Sequence, residues 1–508
     1  MAFPLHTRTT WSRHVSTSHC ATSAAVGFAC LFALGSCGGA PSPTKPLGVL
    51  LISIDSLRAD HVGSYGYKSP TRPDIPTTPA IDKLLAAQGT SFDSAFSTTS
   101  WTLPSHLALL TGRPDELHGV LDLPDRLPAT VPMLQQRFQQ ANWSTAGFWS
   151  GPNLHPWFGF DRGFDTYVDC SSRAVADPTI FALEDSEANH EALMAMHEES
   201  HQGLTGPKVV SAFNEWFATV PAEKPFFAFA HFWDVHYDYT PPAEFDVFDP
   251  DYRGKVDGRD FMNLRIRANA PKDLNHLIAL YDGELKFTDR NVEHLLSTLD
   301  AAGRLDNTLV VLTADHGEAF AEHGFLGHKH SLHDEETHVP LILRFPGEIQ
   351  AGKRIAEVVS LADVAPTILD FCDLPGLDGM WGRSLREACT DATATPKLRP
   401  APMELTSRPD SRFHRGARLE RLKVLQTEEG LVLYDLATDP KEKHPILNSG
   451  AGVQAPLEKA LAVWEDLDAR VKELDLHVSD AALPDDLTSD LSAAGYLESA
   501  DPEKTNDK

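Results

Sequence analysis

Thr102 opens the run Thr102-Leu103-Pro104-Ser105-His106, ahead of the apolar stretch Leu107 to Leu110 and Thr111-Gly112-Arg113. Pro104 and Ser105 favour helix initiation, so the pattern predicts a hydroxyl just before the first turn of a short apolar helix. Backbone N–H groups and the positive end of the helix dipole then converge on whatever the hydroxyl faces, which makes the turn an anion site. A hydroxyl there becomes a nucleophile toward a phosphate or sulfate ester once a metal lowers its pKa. Taken by itself, the segment fits a plain helix cap as well.

The metal ligands tip the balance. Leu50 to Ile54 is an apolar β-type run ending on Asp55, and Leu309 to Thr313 is another, leading into Ala314-Asp315-His316-Gly317-Glu318. In open α/β sheets, ligands bind at the carboxyl ends of strands, where polar residues follow apolar runs. Asp55, Asp315 and His316, with the Thr102 hydroxyl, form an O/N donor set for a hard or borderline divalent cation such as zinc, manganese or calcium. Each residue alone reads as a strand-terminal turn; together they read as a site.

Six blocks, in order from about residue 47 to 470, carry a resemblance to the sulfatase branch of the alkaline-phosphatase superfamily. Ile52 to Asp60 with Tyr65-Gly66 resembles the family's first metal-binding segment, and Thr102 to Arg113 resembles its nucleophile motif. Thr313 to Glu318 is similar to the Asp-His-Gly segment, and Phe232 to Tyr237 to the segment whose histidine, here His236, faces the substrate. Gly327-His328-Lys329 ahead of Val339-Pro340 and Leu433 to Leu436 through Asp439-Pro440 complete the set. The resemblance implies a mixed β-sheet flanked by helices, with a small C-terminal α+β subdomain. It also implies metal ligation by Asp55, Thr102, Asp315 and His316, and substrate contacts from Ser105 and His106. His236, His328 and Lys329 become candidates for protonating the leaving oxygen or neutralising the anion.

The departures bear on chemistry. Sulfatases oxidise a Cys or Ser to formylglycine; Thr102 cannot give that aldehyde, because its β-carbon also carries a methyl group. His106 stands where the motif ends in arginine, and Ser56 where a second metal-binding aspartate is common. The remaining set resembles single-metal sites that use a threonine nucleophile, with a second ion held by Asp234, His236 and another histidine as the alternative. The leading expectation is therefore a metal-dependent hydrolase of phosphate or phosphonate esters acting through a phospho-Thr102 intermediate. A sulfuric ester hydrolase without formylglycine is the first alternative. A transferase of phospho-substituents and a non-catalytic anion- or glycan-binding descendant are the others.

Composition narrows partners. The 508 residues are ordinary in apolar and charged content for a globular protein, but the formal charge is −28. No basic patch or nucleic-acid motif appears, which argues against nucleic acid. An acidic surface repels anionic substrates at long range, so a small-molecule, glycan or lipid ester must be captured locally. Arg8 and Arg13 precede the 13-residue apolar run Ala24 to Ser36, too short for a membrane span and right for an export signal. Leu34-Gly35-Ser36-Cys37 resembles a bacterial lipobox, so residues 1–36 read as a signal, Cys37 as an acylated first residue and 37–46 as a tether to an envelope membrane. Ordinary signal cleavage is the competing view. Of the cysteines that remain, Cys372 and Cys389 read equally as a local disulfide or as two buried thiols. Nothing in the sequence speaks to oligomeric state.

The elements that must position these groups follow from periodicity. Residues 47–395 read as one α/β domain, with helices over Pro79–Gln88 and Asp282–Ala302 and a buried strand from Phe226 to His231. Residues 170–224 read as an insertion, helix-prone from Glu184 to Glu199, over the sheet edge. Residues 396–475 read as an antiparallel subdomain with strands at Leu419–Leu425 and Leu431–Leu436 and a packing helix over Pro456–Leu474. In the 476–508 tail, Leu491 to Leu497 reads as a docking helix before a charged end.

Overall fold

The computed structural model describes residues 45–171, 204–259, 261, 270–408, 412–427, 430–447, 454–474, 476, 481–494 and 496–497. The expected export signal, Cys37, and the stretch 184–199 read as helix-prone lie outside these residues. The central sheet has nine strands: β1 (Gly48–Ile54), β2 (Thr90–Phe96), β3 (Ser144–Trp149), β4 (Thr166–Asp169), β5 (Phe226–Phe232), β6 (Thr308–Ala314), β9 (His338–Arg344), β10 (Lys353–Ile355) and β11 (Val359–Ser360). Their order is β10-β2-β9-β6-β1-β5-β3-β4, with β11 also on β2. A short hairpin of β7 (Ala319–Phe320) and β8 (Leu326–Gly327) lies in the loop after β6.

The middle of this sheet explains its sequence. β1 pairs in parallel with both β5 and β6, and every residue of the three strands is buried. Strands covered on both faces need continuous apolar runs rather than alternation, which is what Val49–Ile52, Phe226–Ala230 and Leu309–Leu312 supply. β9 is antiparallel to both β6 and β2, which makes the sheet mixed. Flanking helices are α1 (Thr102–Thr111), α2 (Leu134–Gln140), α3 (Gly206–Phe217), α4 (Pro271–Ala301) and α5 (Val364–Phe371).

Several boundaries differ from expectation. The helix anticipated from Asp282 begins at Pro271, where a proline in the first turn starts it. The helix anticipated over Pro79–Gln88 has those bounds, but it widens to a π-helical turn at Ile81–Leu85 and tightens at Ala86–Gln88. The strand placed at Leu419–Leu425 spans a tight turn instead, between β13 (Arg412–Leu419) and β14 (Leu422–Thr427), with Glu420 at φ 38°. Uninterrupted apolar spacing hides such a turn. Cys372 and Cys389 are free buried thiols, not a disulfide; burial pushes the Cys389 thiol up to about 12.

The C-terminal sheet is antiparallel, β12 (Ala401–Ser407), β13, β14, β15 (Gly430–Asp435) and β16 (Ile446–Leu447), and packs on α6 (Gln454–Leu474). It grips the segment after β6 through buried charge. Lys423, fully buried, lies 2.7 Å from Asp334 and 3.2 Å from Glu442. Burial alone would raise the Asp334 carboxyl, but Lys423 and Arg418 hold it below its ordinary range. His323 reaches the Glu442 carbonyl at 3.0 Å, and Glu442 accepts from the Asp334 N–H at 2.7 Å. The histidines at 323 and 333 thus belong to this joint. Lys423→Met leaves buried Glu442 and part-buried Asp334 without their lysine and is expected to cost about 3 kcal/mol of stability, read from the urea midpoint. An unchanged midpoint would show that the joint carries no weight.

Candidate active site

The carboxyl ends of three adjacent strands and the start of α1 converge. β1 delivers Asp55, β6 delivers Asp315 and His316, β5 runs into Trp233–Tyr237, and α1 begins with Thr102. Thr102 is the first residue inside the helix; its cap is Trp101, with no side-chain hydrogen bond to the first turn. Pro104 has no N–H, so the exposed donors of that turn are few and sit beside the hydroxyl. Thr102 is also fully buried, not the surface-facing cap its sequence suggests. At the other end Gly112, at φ 67°, closes the helix with its N–H on the Ala108 carbonyl.

Tautomers identify the ligand atoms. The His316 Nδ1–H donates to the Gly317 carbonyl at 2.8 Å, so Nε2 presents a lone pair. That lone pair faces the Thr102 Oγ1 at 3.2 Å, Asp315 Oδ2 at 3.4 Å and Asp55 Oδ1 at 3.7 Å. Burial pushes the His316 imidazole down to about 4, so it is neutral. Asp55 is pushed well above its ordinary range by burial and then by the Asp315 charge, and burial raises Asp315 as well. Asp55 Oδ2 and Asp315 Oδ2 are both buried without hydrogen-bond partners. One ligand atom from each of the three residues lies within 4.8 Å of the other two. Lone pairs and carboxylates crowded together, with orphaned oxygens, are the donor set of a divalent cation.

Neighbouring groups hold these ligands. Ser56, bent to φ 54°, donates its N–H to Asp315 Oδ1 at 3.2 Å and its hydroxyl to Asp55 Oδ1 at 2.9 Å. The residue standing in place of a second aspartate thus orients two others. Ser105 and His106, expected to contact substrate, are both hydrogen-bonded within the protein. The Ser105 hydroxyl donates to the Asp315 carbonyl at 2.6 Å. His106 donates from Nδ1 to the Thr102 carbonyl and accepts from the Ser53 hydroxyl at Nε2, both at 2.9 Å. An arginine has no acceptor to take the Ser53 proton, so His106 plays a different part from the motif's arginine.

His236 and His328 lie on the far side of the Thr102 hydroxyl, each within reach of a phenol oxygen that also touches it. His236 stacks on Trp233 at 3.8 Å and donates from Nδ1 to the Tyr237 carbonyl at 2.7 Å. His328 lies 4.3 Å from the His316 ring and 5.0 Å from His236, with Nδ1 3.0 Å from Glu318. Burial, then His316 and His236, lower its pKa well below the ordinary value. Lys329 lies over the Trp101 ring at 3.9 Å and pairs with Asp122 at 2.9 Å. Asp234 does not join His236 in a second metal site: its carboxylate accepts the N–H groups of Thr205 and Gly206, at the start of α3. Sequence reasoning missed the contributions of Glu318, His231, Asp122 and Tyr496. His231 is fully buried 3.6 Å from Asp55. Only Glu318 had a signal, its place in the Asp-His-Gly segment.

A family model described as Sulfatase matches residues 48–374, and one described as N-sulphoglucosamine sulphohydrolase, C-terminal, matches 321–466. The chain belongs to the sulfatase family. This sulfatase-family hydrolase is similar to an N-acetylglucosamine-6-O-sulfatase of Bacteroides thetaiotaomicron, 23% identical over 87% of this chain and 90% of that one. It is 27% identical to human iduronate 2-sulfatase, over 68% of each chain. Its fold is that of a protein solved with its substrate D-glucosamine-2-N,6-O-disulfate, at a TM-score of 0.66, 18% identity and coverage of 85% and 99%. A phosphonate monoester hydrolase of Agrobacterium radiobacter superposes at a TM-score of 0.62, 21% identity and coverage of 85% and 96%.

Proposed function

We propose that this protein hydrolyses sulfuric esters of small saccharides, with the unmodified Thr102 hydroxyl as nucleophile. The observation that carries the reading is the Thr102 Oγ1 held 3.2 Å from the His316 lone pair, within a buried carboxylate–imidazole cluster. The named activities of similar proteins supply the substrate class. Those relatives reverse the order expected from sequence, where phosphate and phosphonate esters came first. Asp55, Asp315, His316 and Thr102 would hold one divalent cation, which supplies Lewis acidity and lowers the hydroxyl pKa. Thr102 Oγ1 bonds to sulfur as the bond from sulfur to the ester oxygen breaks. His236 and His328 are the groups placed to carry the proton Thr102 gives up to the departing alcohol oxygen. Water then clears the sulfo-threonine.

Threonine itself favours a second reading, phosphonate or phosphate ester hydrolysis, because a phospho-threonine is cleared by water without any aldehyde route. Matched nitrophenyl sulfate, phenylphosphonate and phosphodiester substrates separate the two. A kcat/KM for the sulfate at least tenfold above the others, about 1.4 kcal/mol of barrier, is expected. The reverse order, with a phospho-Thr102 peptide in acid-quenched samples, sinks the sulfate reading.

Attachment to an envelope membrane through acylated Cys37 remains part of the proposal. No helix among the described residues is long and apolar enough to cross a membrane. Cys37→Ser is expected to release the protein from detergent extracts with turnover intact. A native mature form lacking an acyl chain by mass spectrometry removes the anchor.

A further inference from the structure

We infer that Tyr496 is a built-in competitor for the substrate, its hydroxyl holding the place of an ester oxygen in the resting site. The inference rests on the reading of Thr102, His236 and His328 as substrate-facing. The helix α7 (Asp485–Ala493) docks beside the turn Pro152–Leu154, with Leu487 and Leu491 fully buried in the main core. Just beyond it the Tyr496 N–H returns to the Leu491 carbonyl at 2.8 Å. That turn sends the phenol inward. Its oxygen lies 3.3 Å from Thr102 Oγ1, 3.1 Å from His236 Nε2 and 3.2 Å from His328 Nε2. The ring lies 6.3 Å from the Trp101 ring.

Proton counting fixes one of these contacts. His236 donates from Nδ1 to the Tyr237 carbonyl, so its Nε2 must accept, and the Tyr496 proton goes there. The same oxygen lies within reach of the Thr102 hydroxyl and of His328 Nε2, so it occupies the point on which the nucleophile and both imidazoles converge. A sulfuryl group attacked by Thr102 must bring an oxygen within hydrogen-bond reach of the same imidazoles. The phenol oxygen already stands at that point, and two oxygens cannot share it. Substrate therefore enters by turning the Tyr496 side chain out, while Leu487 and Leu491 keep α7 seated. Only the fraction of molecules with the phenol turned out binds substrate, so apparent affinity falls by that fraction. The chemical step, once the phenol has left, is untouched.

The test reads binding without turnover. Full-length protein loaded with divalent metal is titrated with inorganic sulfate by calorimetry, beside Tyr496→Phe, which keeps the ring and removes only the hydroxyl. Tyr496→Phe is expected to bind sulfate at least threefold more tightly, with a melting temperature no higher than that of the wild type. Tyr496→Ala is expected to follow it. In the wild type, nitration of Tyr496 by tetranitromethane, located by peptide mass spectrometry, is expected to quicken at least threefold when sulfate saturates the site. Weaker binding by Tyr496→Phe overturns the inference and makes the phenol a donor to the anion. Equal binding with Tyr496 still protected overturns it as well, as does failure of every form to bind sulfate. If no ester is turned over yet sulfate still displaces Tyr496, the hydrolase reading fails and the competition stands.

Discussion

Asp315→Asn is expected to lower turnover at least a thousandfold and to bring bound metal well below one ion per chain. The isosteric amide keeps the Oδ1 acceptor that the Ser56 and His316 N–H groups use. What it removes is one of two buried carboxylate charges. A Lewis acid that also activates the nucleophile contributes several kcal/mol to the barrier, hence on the order of a thousandfold. A second readout separates a metal ligand from a merely buried acid. In the absence of cation, Asp55 and Asp315 are driven up by burial, and Asp315 raises Asp55 further, so neutralising one relieves the other. Chelation is therefore expected to lower the melting temperature of the wild type and to leave that of Asp315→Asn unchanged. Full metal content and full activity in Asp315→Asn would remove the assignment.

How much of this site can be read from the chain depends on the range of each contact. Asp55, Asp315 and His316 are legible because each follows an apolar run, and adjacent parallel strands bring their ends together by topology alone. The nine-stranded order is less legible: β9 inserts antiparallel between β6 and β2, and nothing in His338–Arg344 declares its direction. Ser105 and His106 carry the motif's letters, yet they bond to Asp315 and Ser53, contacts over 50 or more residues that no local pattern reports. Tyr496 is the extreme case. Its partner Thr102 lies 394 positions away, and the surrounding residues announce only an amphipathic helix. The π-helical turn at Ile81–Leu85 is illegible for the opposite reason: the apolar spacing suits an ordinary helix and carries no sign of the wider turn.

Thr102→Ala is expected to abolish ester turnover, by a thousandfold or more, in protein that still binds metal through Asp55, Asp315 and His316. Unlike an exposed cap, the residue is buried and its hydroxyl contacts His316 and Tyr496, so a stability cost of about 1–2 kcal/mol accompanies the loss. Thr102→Ser keeps the hydroxyl and loses only the β-methyl that restricts its rotamer, so partial activity is expected. With an unmodified hydroxyl as the proposed nucleophile, wild-type protein made in any host should be equally active. The slow step is where threonine differs from formylglycine: an aldehyde hydrate expels sulfate by collapsing to the aldehyde, whereas sulfo-Thr102 must await attack by water. A nitrophenol burst of about one equivalent per chain, followed by slow turnover, is therefore expected with the aryl sulfate. Acid-quenched samples taken during the burst should carry the added sulfate mass on the Thr102 peptide alone. A linear progress curve with an unmodified peptide, or a Thr102→Ala protein that still turns over, would place the nucleophile elsewhere, with metal-bound water the next candidate.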